Sequence, residues 1–281
     1  MFRYLGLIAV IPGIIYFTFF INRFLRKILN VHTNFIIIFT IGLLVTIISF
    51  PAINIIDLYG TIYYHFLVIM LVLEVMNLGF KRFLAYRFLF TSGILGILIT
   101  AMFLGYGCYN IKHVVATDYQ LTSDKLDDFK IVEIADLHMG TSMNVSELKQ
   151  HCQQISAENP DLVVLTGDIF DENTTYDEMI GASKTLSQIN NRLGIYFVYG
   201  NHEQADYPGT IFTPQQIENI LESDGIVVLD DEAVVLDEIN IIGRSDASFY
   251  GTSDRATTAE LLAQIPADKK DNYTLLLDHQ P

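Results

Sequence analysis

The chain has 281 residues, 51% of them hydrophobic, and its mean hydropathy of +0.35 does not fit an ordinary soluble domain. The net charge of −15 is unevenly spread: residues 1–110 hold seven Lys+Arg and two Asp+Glu, whereas residues 111–281 hold ten and thirty. The acidic second half argues against a nucleic-acid partner, because a phosphate backbone needs a basic surface.

Four apolar runs in residues 1–110 predict transmembrane helices, because each is near the ~20 residues that span a bilayer. They cover approximately Tyr4–Ile21, Phe35–Ile56, Ile62–Gly79 and Phe88–Tyr109. Basic residues follow the first and third runs, namely Arg23, Arg26, Lys27, Lys81, Arg82 and Arg87. Since positive loops stay in the cytoplasm, the pattern predicts a multi-pass protein of the cell membrane whose residues after Tyr109 are extracytoplasmic.

One carboxylate, Glu74, lies inside the third run. An ionisable residue at membrane depth is a functional candidate by default. Its position near Asn77 and Lys81 favours local pairing or snorkelling over a transport site, and both interpretations stay open on the sequence alone.

In the acidic half, the sequence predicts a linker over residues 111–129 and an α/β domain over residues 130–281. Apolar runs predict strands at Ile131–Ala135, Leu162–Leu165, Ile195–Tyr199, Val227–Leu229, Val234–Leu236, Ile239–Ile242 and Thr274–Leu277. Helical spacing predicts helices near Val145–Glu158, Tyr176–Asn190, Pro214–Glu222 and Thr257–Gln264. The three short strands between residues 227 and 242 lack intervening helices, so we expect them to pair antiparallel. Strands that alternate with helices, followed by strands that form hairpins, predict a mixed, layered α/β fold.

Metal-type side chains follow the first predicted strand, which runs into Asp136-Leu137-His138. Because residues i and i+2 of a strand project to one face, Asp136 and His138 are expected to point together. A carboxylate and an imidazole suit a borderline divalent metal. A capped strand end with a solvated Asp and an unrelated His is the alternative for this pair alone.

Three further strand ends carry similar side chains, and their joint occurrence is more specific than any one of them. They are Asp168 in Gly-Asp, Asn201 and His202 in Gly-Asn-His-Glu, and His279 near the end of the sequence. Ligands in open α/β sheets gather outside the carboxyl ends of strands, so these residues are expected to converge. The pattern predicts a metal site.

These motifs resemble those of the calcineurin-like metallophosphoesterase superfamily, whose pattern is Asp-x-His, Gly-Asp, Gly-Asn-His-Glu/Asp, a lone His and Gly-His-x-His. The ending Asp-His-Gln-Pro is similar to the membrane-anchored bacterial branch. The resemblance covers about Lys130 to Pro281. It implies a two-layer mixed β-sandwich flanked by helices, and two divalent metal ions of the Mn, Fe or Zn type.

The resemblance also implies roles for individual residues. Asp136 and His138 would hold the first metal, Asp168 would bridge, and Asn201 and His279 would hold the second. His202 would lie near the substrate phosphate as the catalytic residue. Gly243-Arg244-Ser245-Asp246 also follows a strand, and either Arg244 holds phosphate there or the segment is a structural turn.

No Gly-His-x-His follows His279, and in the family that motif supplies one further ligand to each metal. We therefore expect the metallophosphoesterase domain to be C-terminally incomplete. On that expectation the 281-residue chain alone would hold metal weakly, be poorly soluble and be nearly inactive.

The sequence thus predicts a metallophosphoesterase that hydrolyses phosphate mono- or diesters at the outer membrane face through a metal-bound hydroxide. The anchor suggests a phosphoester substrate at the membrane or wall, such as a phospholipid head group or a wall-precursor phosphate. The first alternative is a non-catalytic membrane sensor or scaffold that retains the fold. The second is a small transporter with a soluble appendage.

Overall fold

The structure is a computed structural model that describes residues 2–55, 57–80, 84–204, 207, 209–247 and 255–280, with only the backbone described at 2–4 and 84–86. The basic residues Lys81 and Arg82 and the terminal Pro281 lie outside the described residues. The chain forms two compact units, Met1–Val114 and Val115–Pro281.

The first unit is helical. Its elements are α1 (Phe2–Lys27), α2 (Phe35–Ser49) followed by a 3-10 turn (Phe50–Ile53), α3 (Leu58–Phe80), α4 (Leu84–Thr91) and α5 (Ile94–Lys112). Four helical segments are long and apolar enough to cross a bilayer: Leu5–Lys27, Phe35–Ile53, Leu58–Phe80 and Ile94–Lys112, with mean hydropathy between 1.7 and 2.6. The four predicted spans are therefore confirmed as apolar helices of spanning length.

The fourth span differs from its predicted bounds of Phe88–Tyr109. The chain forms the separate helix α4, breaks at Gly93, and begins α5 at Ile94. Gly93 has a left-handed backbone with φ of 79°, which cannot continue a right-handed helix, and a side chain there would press on the ring of Phe20. Hydropathy alone cannot show such a break, because the residues on both sides of it are apolar.

Glu74 pairs with helix α1 and not with Asn77. Its carboxylate lies 2.7 Å from Nη1 of Arg23 and accepts a 3.0 Å hydrogen bond from the hydroxyl of Tyr16. The described partners of Glu74 are thus on α1, because the two helices pack together, while the expected partner Lys81 lies outside the described residues. An ion pair between two helices supports a structural role for this carboxylate.

The second unit begins with a four-stranded parallel sheet in the order β1-β2-β3-β4. Its strands are β1 (Ile131–Ile134), β2 (Leu162–Thr166), β3 (Ile195–Val198) and β4 (Val227–Val228), and its helices are α6 (Val145–Ala157), α7 (Tyr176–Leu186), α8 (Asn201–Gln204) and α9 (Pro214–Ser223). Helices α6, α7 and α9 each begin with a capping box, at Asn144, Thr175 and Thr213.

A second, three-stranded sheet has the order β5-β6-β7, from β5 (Glu232–Val235), β6 (Ile239–Gly243) and β7 (Tyr273–Leu277), with α10 (Thr258–Ala263) and a 3-10 turn (Ala267–Lys269) before β7. Strands β5 and β6 are antiparallel, whereas β6 and β7 are parallel. The expectation that Val227–Leu229 pairs antiparallel with its successors is wrong. Val227 and Val228 instead extend the first sheet, parallel to Tyr196 and Phe197.

Three hydrophobic layers result from the alternation of side chains along the strands. On β2, Val163 and Leu165 pack under the helices, while Leu162 and Val164 face Ile239, Ile241 and Leu277 of the second sheet. Ile242 packs on the other side, against Leu261 of α10. The α/β sandwich flanked by helices is confirmed, and the candidate site residues follow the carboxyl ends of β1, β2, β3 and β7.

Candidate metal centre

The loop after β1 runs alongside the loop after β2. The backbone N–H groups of Asp136, His138 and Met139 donate to the carbonyls of Gly167, Asp168 and Ile169, at 3.1, 3.0 and 3.0 Å. These bonds prolong the contact between the two strands beyond their regular ladder, which ends at Ile134 and Leu165. Asp136 and His138 are therefore fixed against Asp168 by backbone hydrogen bonds.

Three candidate residues have left-handed backbones, with φ of 53° at Asp136, 43° at His138 and 52° at Asp168. Such values are uncommon for residues other than glycine, and they cluster at functional sites. The expectation that strand alternation orients Asp136 and His138 is wrong in its geometry, because β1 has already ended at Ile134. Loop conformation, and not pleating, brings both side chains to the edge.

Two glycines allow the loops to approach closely. Gly167 has φ of 85°, and a Cβ there would lie 2.6 Å from the backbone nitrogen of Gly200 and 2.8 Å from Nδ1 of His279. A Cβ on Gly200 would overlap the carboxylate of Asp168. The glycines of the Gly-Asp and Gly-Asn-His-Glu motifs are thus required by backbone proximity.

Three imidazoles converge on one oxygen, Oδ2 of Asp168. Its separations from Nε2 of His279, His138 and His202 are 3.4, 3.8 and 4.0 Å. These distances exceed the ~2.9 Å of a good hydrogen bond. They match atoms that share a metal ion, since two ligand atoms each ~2.0–2.2 Å from one ion lie within about 4 Å of each other.

Each imidazole has an acceptor on its other ring nitrogen. Nδ1 of His138 lies 3.3 Å from Asp171, Nδ1 of His202 lies 2.8 Å from Glu172, and Nδ1 of His279 lies 2.8 Å from the carbonyl of Thr166. An acceptor on Nδ1 fixes the proton there and leaves Nε2 free to donate its lone pair to a metal.

The candidate ligands form two groups that share Asp168, in each of which the ligand atoms lie within 4.8 Å of one another. One group contains His138, Asp168 and His202, and the other contains Asp136, Asp168 and His279. Imidazole and carboxylate donors suit borderline divalent cations. The residues present therefore fit a site for divalent metal.

Asn201 lies beside this cluster at the start of α8. Its side-chain nitrogen donates to the hydroxyl of Tyr207 at 3.1 Å, and its side-chain oxygen accepts from Gln280 at 2.7 Å. The oxygen that would bind metal is thus oriented by the residue next to His279. His202 stacks on the ring of Tyr207, with centroids 4.8 Å apart.

Glu203 connects the loops of the two glycine motifs. It is 1% exposed, and its carboxylate accepts backbone N–H groups from Asp168, Ile169, Phe170 and Gly200 at 2.9, 2.6, 3.0 and 2.9 Å. Burial raises the pKa of the Glu203 carboxyl to about 7, although the backbone donors oppose that rise. Four donors on one buried carboxylate hold the peptide of Asp168 in its left-handed conformation.

The charges of the centre reinforce one another. Burial favours the neutral form of Asp168, but the imidazole of His279, 3.4 Å away, and the backbone N–H of His202 outweigh it, so the pKa of this carboxyl is lowered. The Asp168 carboxylate raises the pKa of His279 to about 9, and Asp171 raises the pKa of His138. A cation is therefore favoured at this edge, whether it is a proton or a metal ion.

Arg244 pairs with a carboxylate of the second sheet. Its Nη1 lies 3.2 Å from Asp278, and its Nε donates to the carbonyl of Ala256 at 2.9 Å. Arg255 binds the other oxygen of Asp278 at 3.0 Å and also contacts the carbonyl of Gln280. This arrangement favours the structural interpretation of Arg244, in which both arginines fix the segment that carries His279.

Sequence reasoning missed Asp171, Glu172, Tyr207 and Gln280 and gave Glu203 no role. Two signals were present: Asp171 follows Asp168 by three residues, and Glu203 belongs to the Gly-Asn-His-Glu motif. The contacts of Tyr207 and Gln280 depend on loop geometry that no local pattern encodes.

Residues 129–281 match the family described as calcineurin-like phosphoesterase. An uncharacterized metallophosphoesterase of Campylobacter jejuni is 27% identical over 192 residues, which are 66% of this chain and 48% of that protein. A transmembrane protein with metallophosphoesterase domain from Danio rerio is 30% identical over 119 residues, 41% of this chain and 27% of that protein.

A UDP-2,3-diacylglucosamine pyrophosphatase of Chlamydia muridarum is 30% identical over 100 residues, which are 35% of this chain and 30% of that protein. In each of these three comparisons the aligned region spans less than half of the relative.

Proposed function

Because the chain belongs to the calcineurin-like phosphoesterase family, we propose that it is a membrane-associated hydrolase of phosphoester bonds that works with two divalent metal ions. The membrane association follows from the four apolar helices and from the transmembrane relatives.

The convergence of three Nε2 atoms on Oδ2 of Asp168 carries the proposal. Surface histidines rarely point at one buried carboxylate, and here each has its Nδ1 held by an acceptor. Asp168 is 4% exposed and belongs to both candidate groups. That position suits a bridging carboxylate between two ions.

We propose Asp136 and His138 for one ion, Asn201 and His279 for the other, and Asp168 for both, which is the assignment that the family motifs imply. The groups of neighbouring ligand atoms differ from it, because they place Asp136 with His279 and His138 with His202, while Asp168 belongs to both. Divalent cations held there supply Lewis acidity to phosphoryl oxygens and make water a nucleophile near neutral pH. The protein itself fixes the ligand atoms through the left-handed loops, the buried carboxylate of Glu203 and the acceptors on each Nδ1.

His202 is proposed as the general acid for the leaving oxygen. Glu172 accepts from its Nδ1 at 2.8 Å and Tyr207 stacks against its ring, so the imidazole is held in a fixed orientation at the centre. The 4.0 Å separation from Asp168 also supports a second assignment, in which His202 is a ligand alongside His138. The two assignments differ in whether the metal survives when His202 is removed.

The substrate is proposed to be a phosphoester at the membrane or wall, such as a phospholipid head group or a wall-precursor phosphate. The helices that tie the domain to a bilayer support a substrate that is itself held there. The relative from Chlamydia muridarum is a pyrophosphatase of a diacylated sugar nucleotide, which also links the family to lipid-like phosphates.

The test is to purify the full chain in detergent, load it with Mn²⁺, and measure both metal per chain and hydrolysis of an aryl phosphodiester and monoester. Asp168→Asn should lower metal content and turnover together, because it weakens a ligand shared by both groups. Chelation of wild-type protein should abolish turnover, and added Mn²⁺ should restore it. Asp268→Asn makes the same change at an exposed position and should alter neither quantity.

Turnover that persists in Asp168→Asn, or in fully chelated wild-type protein, would contradict metal-dependent hydrolysis at this centre. Stoichiometric metal without turnover on any phosphoester would instead support the non-catalytic scaffold.

A further inference from the structure

A cationic cleft lies at one end of the helical unit, where α1 and α3 end and α4 lies beside them. It has a volume of about 290 Å³ and is lined by Arg23, Lys27, Asn77, Arg87, Phe90 and Thr91. An adjoining cleft of about 330 Å³ is lined by Asn22, Arg23, Arg26 and Lys27. Arg23 and Lys27 belong to both, so the two form one continuous polar surface, here called the basic cleft.

The charge of the basic cleft is strongly unbalanced. Four cations line it, and Glu74, which pairs with Arg23, is the acidic partner that the described residues provide. Residues 1–110 contain one other acid, Asp57, whose carboxylate is used at the opposite end of α3, where it accepts the N–H of Gly60 at 2.6 Å. The formal charge around the cleft is therefore close to +3.

Arg23 has donors that its protein partners do not satisfy. Its guanidinium lies between the rings of Phe20 and Phe90, 5.5 and 4.7 Å from their centroids, with Nη1 on Glu74. Its Nε and Nη2 atoms are buried without a hydrogen-bond partner among the described residues. A buried donor is costly unless a partner satisfies it, and an oxyanion is the natural partner for a guanidinium edge.

A simpler explanation is that the cations of the basic cleft only anchor helix ends, and it explains part of the observations. Arg26 and Lys27 lie in the last turn of α1, where cations favour the helix dipole, and both are exposed. That account leaves unexplained the inward position of Arg23 and the presence of Arg87, from a different helix, in the same cleft. Convergence of cations from separate helices is typical of a site for phosphate.

The surroundings of the cleft indicate which kind of phosphate fits. It lies at the ends of spanning helices, which is the level of lipid head groups. Apolar residues that follow lining residues in the sequence are exposed: Leu78, after Asn77, at 72% and Phe88, after Arg87, at 54%. A cationic recess above an apolar surface matches an amphiphile with an anionic head and acyl chains, whereas free phosphate would use only the recess.

We infer that the basic cleft formed by Arg23, Lys27, Asn77 and Arg87 binds the phosphate of an anionic phospholipid head group. The inference concerns the helical unit alone and is independent of the phosphoesterase centre. Its expected consequence is selective retention of anionic over zwitterionic lipid by the purified chain.

The experiment uses the full chain, delipidated in detergent and mixed with equal amounts of phosphatidylglycerol and phosphatidylcholine of identical acyl chains. Native mass spectrometry then counts the retained lipids. Wild-type protein should retain phosphatidylglycerol over phosphatidylcholine. Each removed cation should weaken this preference about fivefold, so Lys27→Gln/Arg87→Gln should weaken it roughly 25-fold. This double variant spares the Arg23–Glu74 ion pair.

Lys112→Gln is the matched control, because it removes one cation at the far end of α5, about 27 Å of helix from Ile94. It should leave the preference within twofold of wild type. Each single variant, Lys27→Gln or Arg87→Gln, is a surface change on an exposed side chain and provides the same comparison if the double variant does not fold.

Three results would overturn the inference. The first is equal retention of the two lipids by wild-type protein, which requires no variant. The second is a loss in Lys112→Gln as large as in the cleft variants. The third is displacement of phosphatidylglycerol by excess inorganic phosphate, together with phosphate binding in lipid-free detergent, which would assign the cleft to a soluble anion.

Discussion

Asp136, His138 and Asp168 adopt backbone conformations that cost free energy, and the surrounding loops offset that cost. A non-glycine residue in the left-handed region costs of the order of 1–3 kcal/mol. The four N–H groups gathered by Glu203 and the hydrogen bonds between the loops after β1 and β2 stabilise these conformations. Individual residues outside the proposed ligand set therefore govern the geometry of the centre.

The first prediction separates the two assignments of His202. His202→Ala should retain metal and lose turnover by about 10²–10⁴-fold, the usual contribution of general acid catalysis. The measurements are metal per chain and turnover of an aryl phosphodiester. His151→Ala, at the surface of α6, is the control and should change neither. Loss of metal in His202→Ala would make His202 a ligand with His138 and Asp168.

The second prediction concerns Glu203. Glu203→Gln turns one acceptor oxygen into an NH₂ group that faces two backbone donors, leaving buried N–H groups without a partner. At about 1–3 kcal/mol for each of the two unsatisfied groups, the second unit should lose about 2–6 kcal/mol of stability. Calorimetry should show a lower melting temperature, and metal content should fall as Asp168 moves.

Glu178→Gln is the matched control for Glu203→Gln. Glu178 also accepts a backbone N–H, from Thr175, but it is a half-buried capping-box residue at which glutamine serves equally well. A melting temperature in Glu203→Gln as high as in Glu178→Gln would show that Glu203 does not hold the loops.

At this scale the sequence identified the candidate side chains better than their conformations. Asp136 and His138 were selected by i, i+2 spacing on a strand, yet their proximity to Asp168 arises from left-handed loop residues. Motif order carries the chemical identity of the residues. Motif order does not predict the φ and ψ angles of these residues, because those angles depend on hydrogen bonds to a loop about thirty residues further along the chain.

At the scale of elements, the two ends of the parallel sheet have different structural roles. The carboxyl ends of the strands carry the candidate ligands, whereas Asp161 connects the other ends. It precedes β2 and accepts the backbone N–H of Lys130 at 2.8 Å and Nε of Arg192 at 2.7 Å. Its own backbone bonds Lys130 and Leu193, so it ties β1, β2 and β3 together where they begin.

The third prediction is that Asp161→Ala lowers the stability of the second unit by about 1–2 kcal/mol, the sum of the hydrogen bonds lost. Metal content should stay unchanged, because Asp161 lies at the end of the sheet opposite the centre. Asp237→Ala, which removes a fully exposed carboxylate, is the control and should cost less than about 0.5 kcal/mol. A loss of metal in Asp161→Ala would show that the two ends are not independent.

The same variant has a defined pH dependence. The backbone N–H of Lys130 and the side chain of Arg192 lower the pKa of Asp161 in the folded protein. A lowered pKa contributes stability that is fully present above the unfolded-state value and is lost as pH falls through the folded-state value. The stability difference between wild type and Asp161→Ala should therefore be constant near neutral pH and shrink below about pH 4.

Helices and strands could be predicted where the local sequence pattern is strong. They were harder to predict where tertiary contacts determine which strands pair. The capped helices α6, α7 and α9 lie near their predicted positions because capping signals are local. Val227 and Val228 pair with β3 because α9 returns the chain to the first sheet, which no two-residue pattern encodes. The break at Gly93 was hidden because both flanking helices are apolar.

At the scale of the whole molecule, the sign of the charge differs between a basic helical unit and an acidic α/β unit. Six of the seven Lys+Arg residues in 1–110 follow the first or third apolar run. Arg23 and Lys27 of the first group and Arg87 of the second line the same cleft. The described members of both basic groups thus lie at one end of the helical unit, as antiparallel spanning helices require.

The last prediction is that residues 115–281 are extracytoplasmic. The end of the helical unit that carries Arg23, Lys27 and Arg87 should face the cytoplasm, because positive loops are retained there. Four spans return the chain to the side on which it began, so the acidic unit follows α5 on the outer side. Protease added to intact protoplasts should then remove a fragment recognised by an antibody against residues 115–281, while a cytoplasmic marker protein stays intact. If the acidic unit is cut only after lysis, it faces the cytoplasm, and the outer-face part of the proposed function is wrong while the phosphoesterase chemistry is unaffected.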